Sequence, residues 1–319
     1  MRNTEYRKNL TVEEALKLMN ENLAEAESSL INAYEAPEKP TVFIVGAQRS
    51  GTTLLMQLLL NHFEFAFINN FISRYWKSPY LGSLIFKSLN LSQAGSEASF
   101  NSDLGYTKGL LGPHEFGYFW KEVLPTAIYE DNDYDSQALE KLKNTIAAIQ
   151  SIDGKPFLVK NLISCSFHVK KLAELLPTSY FVYIERDPQM VIQSTYQSRL
   201  KLFESESEWF GLKPAEYLEI KDLPVFEQIA AQVKYTKDHI EKDLQSIPED
   251  RYMSLKYEDL TSDPAGVMNL LKLNFSKIGV IASETDSTLP QFNTSNKFCL
   301  EPEKMILLKK AYQKYFEEN

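Results

Sequence analysis

One segment near the N-terminus limits the possible folds more than any other part of the sequence. The apolar run Thr41-Val-Phe-Ile-Val-Gly46 has the length of a buried strand, and the apolar run Leu54–Leu60 is typical of a helix. Between them lies Gly46-Ala-Gln-Arg-Ser-Gly-Thr-Thr53, in which two glycines flank four residues. This is the spacing of a phosphate-binding loop, whose glycines permit a tight turn and whose amides face one anion where a helix begins.

The rest of the chain predicts further strands that alternate with helices. Strand-length apolar runs lie at 156–160, 180–184 and 252–257. Helical spacing of apolar residues covers 136–149, 169–176, 226–247 and 301–316. Asp187-Pro188 and Asp263-Pro264 each place an N-cap residue before a proline, so a helix is expected to begin at both. Together these patterns predict an α/β fold in which helices cover both faces of a parallel sheet.

The sequence has no internal repeat and no low-complexity linker, so residues 1–319 are predicted to form a single domain. Residues 1–40 carry an apolar stripe with helical spacing and predict an N-terminal helical arm, with Thr11 and Glu14 as a capping box. The stripe fits packing on the core or a short coiled-coil contact in a homodimer. Residues 63–135 are rich in Gly, Ser, Asn and aromatic residues, and are expected to form loops and irregular helices that select the substrate.

Charge and composition limit the kind of ligand. The chain has 34 Lys and Arg against 43 Asp and Glu, a net charge of −9, which argues against nucleic-acid binding. An anionic ligand therefore has to be held by a local group of cations. Two cysteines exclude a disulfide scaffold, and no Cys/His cluster suggests zinc. Because there is no secretory signal and no membrane-length apolar run, we expect a cytoplasmic protein without a membrane span.

The glycine loop differs from the loop of ATPases and kinases. Thr52 stands where those loops have a lysine, and the cation, Arg49, lies inside the loop. A nucleoside triphosphate site would also use a magnesium-binding acid near a neighbouring strand end, whereas the third predicted strand leads to Arg186. The loop therefore suits a phosphate-bearing donor held without a metal. A second anion site is predicted where Arg186 and Ser194, about two helical turns apart, meet at the carboxyl edge of the sheet.

These segments together resemble the sulfotransferase superfamily that uses 3′-phosphoadenosine 5′-phosphosulfate (PAPS). VGAQRSGTTLL at 45–55 resembles the family's 5′-phosphosulfate loop, and YIERDPQMVIQS at 183–194 resembles its 3′-phosphate motif. Lys256-Tyr-Glu-Asp-Leu260 with Asp263-Pro264 resembles its YEDL…DP stretch. The resemblance implies a P-loop-like fold. It also implies transfer of a sulfuryl group from PAPS, without a metal, to a hydroxyl of a carbohydrate, glycolipid or other small-molecule acceptor.

The resemblance also assigns roles to individual residues. By position, Arg49 replaces the loop's catalytic cation, and Lys160 matches a basic residue that reaches the transferring group. Arg186 and Ser194 match the ligands of the 3′-phosphate. The residues expected to hold the 5′-phosphosulfate are Arg49, Ser50, Gly51, Thr52 and Thr53. A polar segment near the C-terminus, where the family closes over the nucleotide, adds the candidates Asn296 and Lys297.

The general base is less well defined. The small-molecule branch of the family has a histidine beside the strand-end lysine, but this chain has none in Val159-Lys-Asn-Leu-Ile163. His114 and Glu115 are the best candidates, because they precede an aromatic stretch and because other sulfotransferases use a Glu or a His in this role. We favour Glu115, with a division of roles between the two residues left open. The alternative is that the pair only caps a helix after Pro113.

Two other functions are compatible with parts of the pattern. A P-loop kinase is disfavoured by Thr52 and by Arg186. A protein that binds PAPS, or its product adenosine 3′,5′-bisphosphate (PAP), without catalysis is the other alternative. Asn69–Trp76 mixes amides, a cation and aromatic rings, which suits either contact with a sugar acceptor or a half-buried helix.

Overall fold

A computed structural model of the chain describes residues 3–91, 100, 102–124, 134–281, 289, 292 and 296–318. The predicted region 63–135 and the polar segment 293–297 therefore lie partly outside the described residues. The main sheet contains β1 (Thr41–Val45), β2 (Ala66–Phe67), β5 (Phe157–Lys160), β6 (Tyr180–Glu185) and β7 (Tyr252–Lys256). A small antiparallel hairpin is formed by β3 (Ser102–Asp103) and β4 (Tyr106–Thr107).

Helices fill most of the chain between these strands. In the first half they are α1 (Leu10–Ile31), α2 (Thr52–His62), α3 (Pro79–Ser88), α4 (Gly117–Val123) and α5 (Ser136–Asp153). Those between β5 and β7 are α6 (Leu162–Cys165), α7 (Val169–Leu175), α8 (Pro188–Phe203), α9 (Tyr217–Ile220) and α10 (Val225–Gln245). Those after β7 are α11 (Tyr257–Ser262), α12 (Pro264–Lys277) and α13 (Pro302–Phe316). None of the helices in the described ranges is long and apolar enough to cross a membrane.

The five strands run parallel in the order β2-β5-β1-β6-β7, with β1 at the centre. Alternation along β1 sends Phe43 and Val45 into one apolar cluster, and Val42 and Ile44 into another. All four side chains are fully buried, as expected for a strand with helices on both faces. The α/β fold predicted from the alternation of strands and helices is confirmed.

The strand β2 was missing from the prediction. It has only two residues, and its pairing to β5 is extended by the Ala66 amide, which donates to the Pro156 carbonyl oxygen at 2.8 Å. Two residues are too few to show a periodicity, so an edge strand of this length leaves no signal in the sequence. The region 63–135 also contributes to the central core through Trp76, Phe116 and Trp120.

The N-terminal arm packs on the core through its helix α1. Asn20 and Glu27 are fully buried polar residues on this helix. The amide of Asn20 donates to the carbonyl oxygen of Arg74 at 2.8 Å, and its oxygen accepts the Lys77 amide at 2.8 Å. The expected capping box at Thr11 is wrong, because the N-cap of α1 lies two residues earlier, at Asn9, whose side chain accepts from the Val12 amide. The possible homodimer contact stays a prediction.

Glu27 connects the arm to helix α3. Its two carboxylate oxygens accept the amides of Tyr80 and Leu81, in the first turn of α3, at 2.8 and 3.0 Å. Burial raises the pKa of this carboxyl group, while the two amide hydrogen bonds act in the opposite direction. A carboxylate at a helix N-terminus also interacts favourably with the helix dipole.

Replacing Glu27 with alanine is expected to destabilise the protein. Glu27→Ala leaves two amides of α3 without an acceptor, which lowers the free energy of unfolding by about 1–3 kcal/mol. The measurement is urea unfolding followed by circular dichroism. Glu25→Ala, at an exposed position on the same helix, is the matched control and is expected to change little. Equal stability of the two variants would show that the arm is not held by this contact.

Candidate active site

The loop between β1 and α2 packs tightly against two other elements. A Cβ at Gly46 would lie 2.7 Å from the carbonyl oxygen of Ile184, at the end of β6. Gly51 has φ +98°, and a Cβ there would lie 2.3 Å from Cδ2 of Tyr257 in α11. Both positions therefore require glycine. The consequence is a tight loop that leads into the N-terminus of α2, where backbone amides favour an anion.

Arg49 projects from this loop towards helix α8. Its Nε donates to Ser194 Oγ at 3.0 Å, and its carbonyl oxygen accepts from an Arg186 guanidinium nitrogen at 3.1 Å. The structure thus brings together two arginines and one serine from three separate parts of the sequence. Burial lowers the pKa of Arg49, and the nearby charge of Arg186 lowers it further. Burial also lowers the pKa of Arg186.

Arg186 is held from two further sides. Its guanidinium lies 4.4 Å from the ring centre of Tyr257, and two of its nitrogens donate to Asn296 Oδ1 at 3.2 and 3.0 Å. The Asn296 amide in turn donates to Glu258 Oε1 at 2.8 Å. Asn296 therefore orients Arg186 at this site. Lys297 is exposed, and its backbone carbonyl accepts from the side chain of Gln193.

Ser50, Thr52 and Thr53 occupy different positions on the loop and the helix after it. Ser50 is buried, and its hydroxyl donates to the Ala47 carbonyl at 2.8 Å, so this side chain stabilises the turn itself. Thr52 and Thr53 form the first turn of α2 and line a large cavity. The hydroxyl of Thr53 accepts a hydrogen bond from Lys160 Nζ at 2.9 Å.

Lys160 and Glu115 form an ion pair beside the loop. Lys160, the last residue of β5, is 3% exposed and donates from Nζ to the Glu115 carboxylate. Glu115 is 37% exposed, so its carboxylate also reaches the cavity. The neighbouring Asn161 holds the backbone of Glu115, because its amide donates to the Glu115 carbonyl at 2.9 Å. Gly105, in the β3–β4 turn, covers the pair, and a Cβ there would lie 3.2 Å from Glu115 Oε1.

Sequence reasoning missed Asn161 and Gly105. Asn161 directly follows the predicted strand-end lysine, and that position is a signal that could have identified it. Gly105 lies more than 50 residues from Lys160 in the sequence, and only the folded chain brings the two together.

His114 is half-buried beside this pair and has a defined hydrogen-bonding role. Its backbone amide donates to the Ile68 carbonyl at 2.9 Å, and its Nδ1 accepts the Phe116 amide at 2.8 Å. Burial lowers the pKa of the imidazole, which favours the neutral ring. The alternative that His114 and Glu115 cap a helix is wrong, since α4 begins at Gly117 with Phe116 as its N-cap and without a side-chain cap.

One cavity of about 1150 Å³ connects the loop, the ion pair and the N-terminal arm. Six cationic side chains and two carboxylates line it, although the chain as a whole is acidic. The cations are Lys8, Arg49, Arg74, Lys121, Lys160 and Arg186, and the carboxylates are Glu13 and Glu115. This local excess of positive charge is the kind of site that an anionic ligand requires in an acidic protein.

The arm forms the end of this cavity that lies away from the loop. Lys8 Nζ donates to Glu13 at 2.9 Å, and both side chains are hydrogen-bonded to the Tyr118 hydroxyl. Val12 and Leu16 line the same end, and the Tyr118 ring packs against Trp76 with 4.8 Å between ring centres. The sequence predicted packing on the core for the arm but not a place in the cavity, because that placement depends on contacts with residues far away in the chain.

The segment 69–76 contributes four side chains to the cavity, namely Asn70, Ser73, Arg74 and Trp76. Its backbone forms one short 3₁₀ helix, Ile72–Arg74, so the alternative of a half-buried helix holds for only three of the eight residues. The Asn70 amide donates to the carbonyl oxygens of Thr107 at 3.0 Å and Gly109 at 2.7 Å, and so fixes the chain next to the hairpin. Among the described residues, no group of three or more His, Cys, Asp or Glu side chains is placed to hold a metal ion.

Known proteins that resemble the chain in sequence or in fold are sulfotransferases. A family model described as the sulfotransferase family matches residues 40–272. Two curated relatives, the omega-hydroxy-beta-dihydromenaquinone-9 sulfotransferases Stf3 of Mycobacterium bovis and Mycobacterium tuberculosis, are each 28% identical over 260 residues. These alignments cover 73% of this chain and 61% of the relatives, so the chain spans less than two thirds of their length.

Solved sulfotransferase structures show the same fold. The sulfotransferase STF1 from Mycobacterium tuberculosis H37Rv superimposes with a TM-score of 0.53 at 14% identity, over 91% of this chain and 75% of its own. STF9 from Mycobacterium avium gives 0.51 at 17% identity, over 89% of this chain and 70% of its own. With the family match and the P-loop-like architecture, the chain belongs to the sulfotransferase family.

The close contact of the loop with Tyr257 makes a testable prediction about Gly51. Gly51→Ala introduces strain at positive φ and a clash with the Tyr257 ring. Gly154→Ala, at φ +65° with no atom within 4 Å, is the control for backbone strain alone. We expect Gly51→Ala to lower the free energy of unfolding by about 1–3 kcal/mol more than the control, measured by urea unfolding. Equal losses would mean that the loop can move away from Tyr257.

Proposed function

We propose that this protein transfers a sulfuryl group from PAPS to a hydroxyl of a small-molecule or carbohydrate acceptor. The observation that carries the proposal is the position of Arg49, Arg186 and Ser194 at one end of a cavity that also contains the Lys160–Glu115 pair. The first group suits a nucleotide with two phosphorylated ends, and the second suits the chemistry of transfer. Family membership supports the reaction type.

We propose that the donor is held by the arginines and helix amides that the fold brings together at the loop end of the cavity. The amides at the start of α2, with Arg49, Thr52 and Thr53, suit the 5′-phosphosulfate. Arg186 and Ser194 suit the 3′-phosphate, because a guanidinium forms paired hydrogen bonds with phosphate and a hydroxyl adds a neutral one. The fit is supported by the lowered pKa values of the two arginines, since a nearby anion would offset the burial of both and the repulsion that Arg186 exerts on Arg49.

The transfer step needs positioning and stabilisation of charge more than covalent help from the protein. The acceptor oxygen attacks sulfur in line, and the bond from sulfur to the bridging oxygen breaks, so that negative charge develops on the departing phosphate. Arg49 and the α2 amides stabilise that charge. Lys160 is buried next to the loop through Thr53, and its ammonium group stabilises the sulfuryl group in transit.

A base has to remove the proton of the acceptor hydroxyl. Glu115 is our candidate, because its carboxylate lies beside the loop in contact with Lys160 and its exposed fraction faces the cavity. His114 uses Nδ1 to accept the Phe116 amide, which leaves Nε2 for the acceptor. We assign proton removal to Glu115 and orientation of the acceptor to His114.

The acceptor is proposed to be an alcohol with a partly apolar body. Val12, Leu16, Trp76 and Tyr118 provide apolar and aromatic surface at the arm end of the cavity, next to polar groups. The curated relatives are named as sulfotransferases of a hydroxylated menaquinone, which is such an alcohol. Carbohydrates and glycolipids stay within the same class, since aromatic rings also pack against sugar rings.

The donor site is tested by removing its 3′-phosphate ligands. Arg186→Ala removes a charge-assisted contact and should weaken PAP binding by about 10- to 100-fold, while Ser194→Ala should cost about 3- to 10-fold. Titration calorimetry with PAP measures both. Lys242→Ala, at an exposed position on α10, is the control and should bind normally. Unchanged PAP affinity in Arg186→Ala would contradict the assignment of the 3′-phosphate to Arg186 and Ser194.

The proposed base is tested by a change that keeps the shape of the side chain. Glu115→Gln should lower kcat by about 10²- to 10⁴-fold and leave PAP affinity unchanged, measured by transfer of labelled sulfate from PAPS. His114→Asn should mainly raise KM for the acceptor, because the neutral imidazole is assigned to orientation. A near-normal kcat for Glu115→Gln, together with a large loss of kcat for His114→Asn, would show that His114 and not Glu115 is the base.

A further inference from the structure

Three cationic side chains lie at the arm end of the cavity, away from the two arginines of the proposed donor site. Lys8, Arg74 and Lys121 all line the cavity. Lys8 Nζ lies 4.1 Å from the ring centre of Tyr118. Lys121 follows Tyr118 by three residues in α4, so the two side chains lie on the same side of that helix. Lys8 and Lys121 are therefore both neighbours of Tyr118.

Arg74 belongs to the same end of the cavity. It lies two residues before Trp76, whose ring packs against Tyr118 with 4.8 Å between ring centres. Burial raises the pKa of Glu13, but hydrogen bonds from Tyr118 and Lys8 lower it. The charges of Lys8 and Arg74 lower it further, so that the pKa of Glu13 lies below its usual value. The charge of Arg74 therefore acts at the carboxylate that contacts both Lys8 and Tyr118.

Two of the three cations at this end have no counter-ion. Lys8 is paired with Glu13, whereas the side chains of Arg74 and Lys121 form no hydrogen bond or ion pair with another residue that the structure describes. The acid next to Lys121 in the sequence, Glu122, is paired with a different lysine. A cavity that holds unpaired charges of one sign attracts a ligand of the opposite charge.

The arm end lies close to the proposed base. Burial lowers the pKa of His114, and the charge of Glu115 opposes this effect. The charges of Lys8 and Arg74 lower the pKa of His114 further. Charges in contact with salt solution act on one another over about 10 Å. One small molecule can therefore place a hydroxyl at Glu115 and an anionic group at Arg74.

The lining of the arm end indicates what kind of anion fits. Leu16 and Trp76 line the cavity beside the cations and can cover an apolar body. The guanidinium of Arg74 can form paired hydrogen bonds with a carboxylate. This end of the cavity already holds one such group, because Lys8 and Tyr118 bind the carboxylate of Glu13. A second carboxylate, supplied by a ligand, would match the two cations that have no partner.

We propose that the acceptor is a hydroxy acid whose carboxylate binds to Arg74 and Lys121 while its hydroxyl meets Glu115. This inference rests on the proposed function and narrows its acceptor class to molecules that join an apolar body to an acidic group. Arg74 and Lys121 select the acceptor, and donor binding does not depend on them.

The test titrates probe acceptors into the full chain loaded with PAP, by calorimetry. The probes are the straight-chain ω-hydroxy acids from hexanoic to dodecanoic acid, each compared with its primary amide, which has nearly the same shape and no charge. At the chain length that binds best, the acid should bind about tenfold or more tightly than the amide, because hydrogen bonds to a charged carboxylate are the stronger ones. Raising the salt concentration should weaken binding of the acid and leave that of the amide nearly unchanged.

Variants assign the preference to the two cations. Arg74→Gln and Lys121→Gln each remove one charge and should each reduce the preference for the acid to about threefold or less, and the double variant should abolish it. Lys17→Gln, at an exposed position on α1 outside the cavity lining, is the matched control and should keep the native preference. Thermal unfolding followed by circular dichroism checks that each variant is folded.

Four results overturn the inference. They are equal affinity of the native protein for acid and amide, no binding of either probe to the PAP complex, an affinity for the acid that salt does not change, and folded variants that keep the native preference. A loss of PAP affinity in Arg74→Gln as large as its loss of acid binding would assign this cation to the donor, which also overturns it.

The same experiment separates this inference from the proposed function. A native protein that does not bind PAP, or an acid that binds but receives no labelled sulfate from PAPS, contradicts the proposed function itself. Normal PAP binding, with equal transfer of sulfate to the acid and the amide, contradicts only the role of Arg74 and Lys121.

Discussion

Two half-buried arginines held against each other are the constraint on which the candidate site depends. Arg186 donates to the backbone of Arg49, and the charge of Arg186 lowers the pKa of Arg49. Ser194 on one side and Asn296 on the other fix the two guanidinium groups in this arrangement. Because parallel strands end at one edge of the sheet, the fold delivers both cations to the same place. A chain with a net charge of −9 thereby obtains a small, enclosed site for an anion.

The cavity connects this cationic end to a second end, which lies against the N-terminal arm and has more apolar and aromatic side chains in its lining. The loop, β5 and β6 lie within the range 40–272 that matches the sulfotransferase family. The arm residues Lys8 to Leu16 that line the other end precede that range. The Lys160–Glu115 pair lies between the two ends, under the hairpin turn at Gly105. The proposed acceptor at the second end would meet the arm together with Trp76 and Tyr118, which lie inside the matched range.

Local features of the site could be predicted from the sequence, and features made by distant contacts could not. The spacing of the glycines predicted the loop, and Asp187 before Pro188 predicted the start of α8. Both features depend on a few adjacent residues. The two-residue strand β2 and the place of the arm in the cavity depend on segments far apart in the chain. The N-cap at Asn9 was missed because Thr11 and Glu14 also fit a capping pattern.

The most direct test of the account compares nucleotides that differ in the 3′-phosphate. Calorimetry in EDTA measures the affinity of the native protein for PAP and for ADP, and a second titration repeats ADP with magnesium. We expect PAP to bind without a metal and at least about tenfold more tightly than ADP, because Arg186 and Ser194 are proposed to hold a second phosphate. ADP binding that equals or exceeds PAP binding, or PAP binding that requires magnesium, would contradict the assignment and favour a kinase-like site.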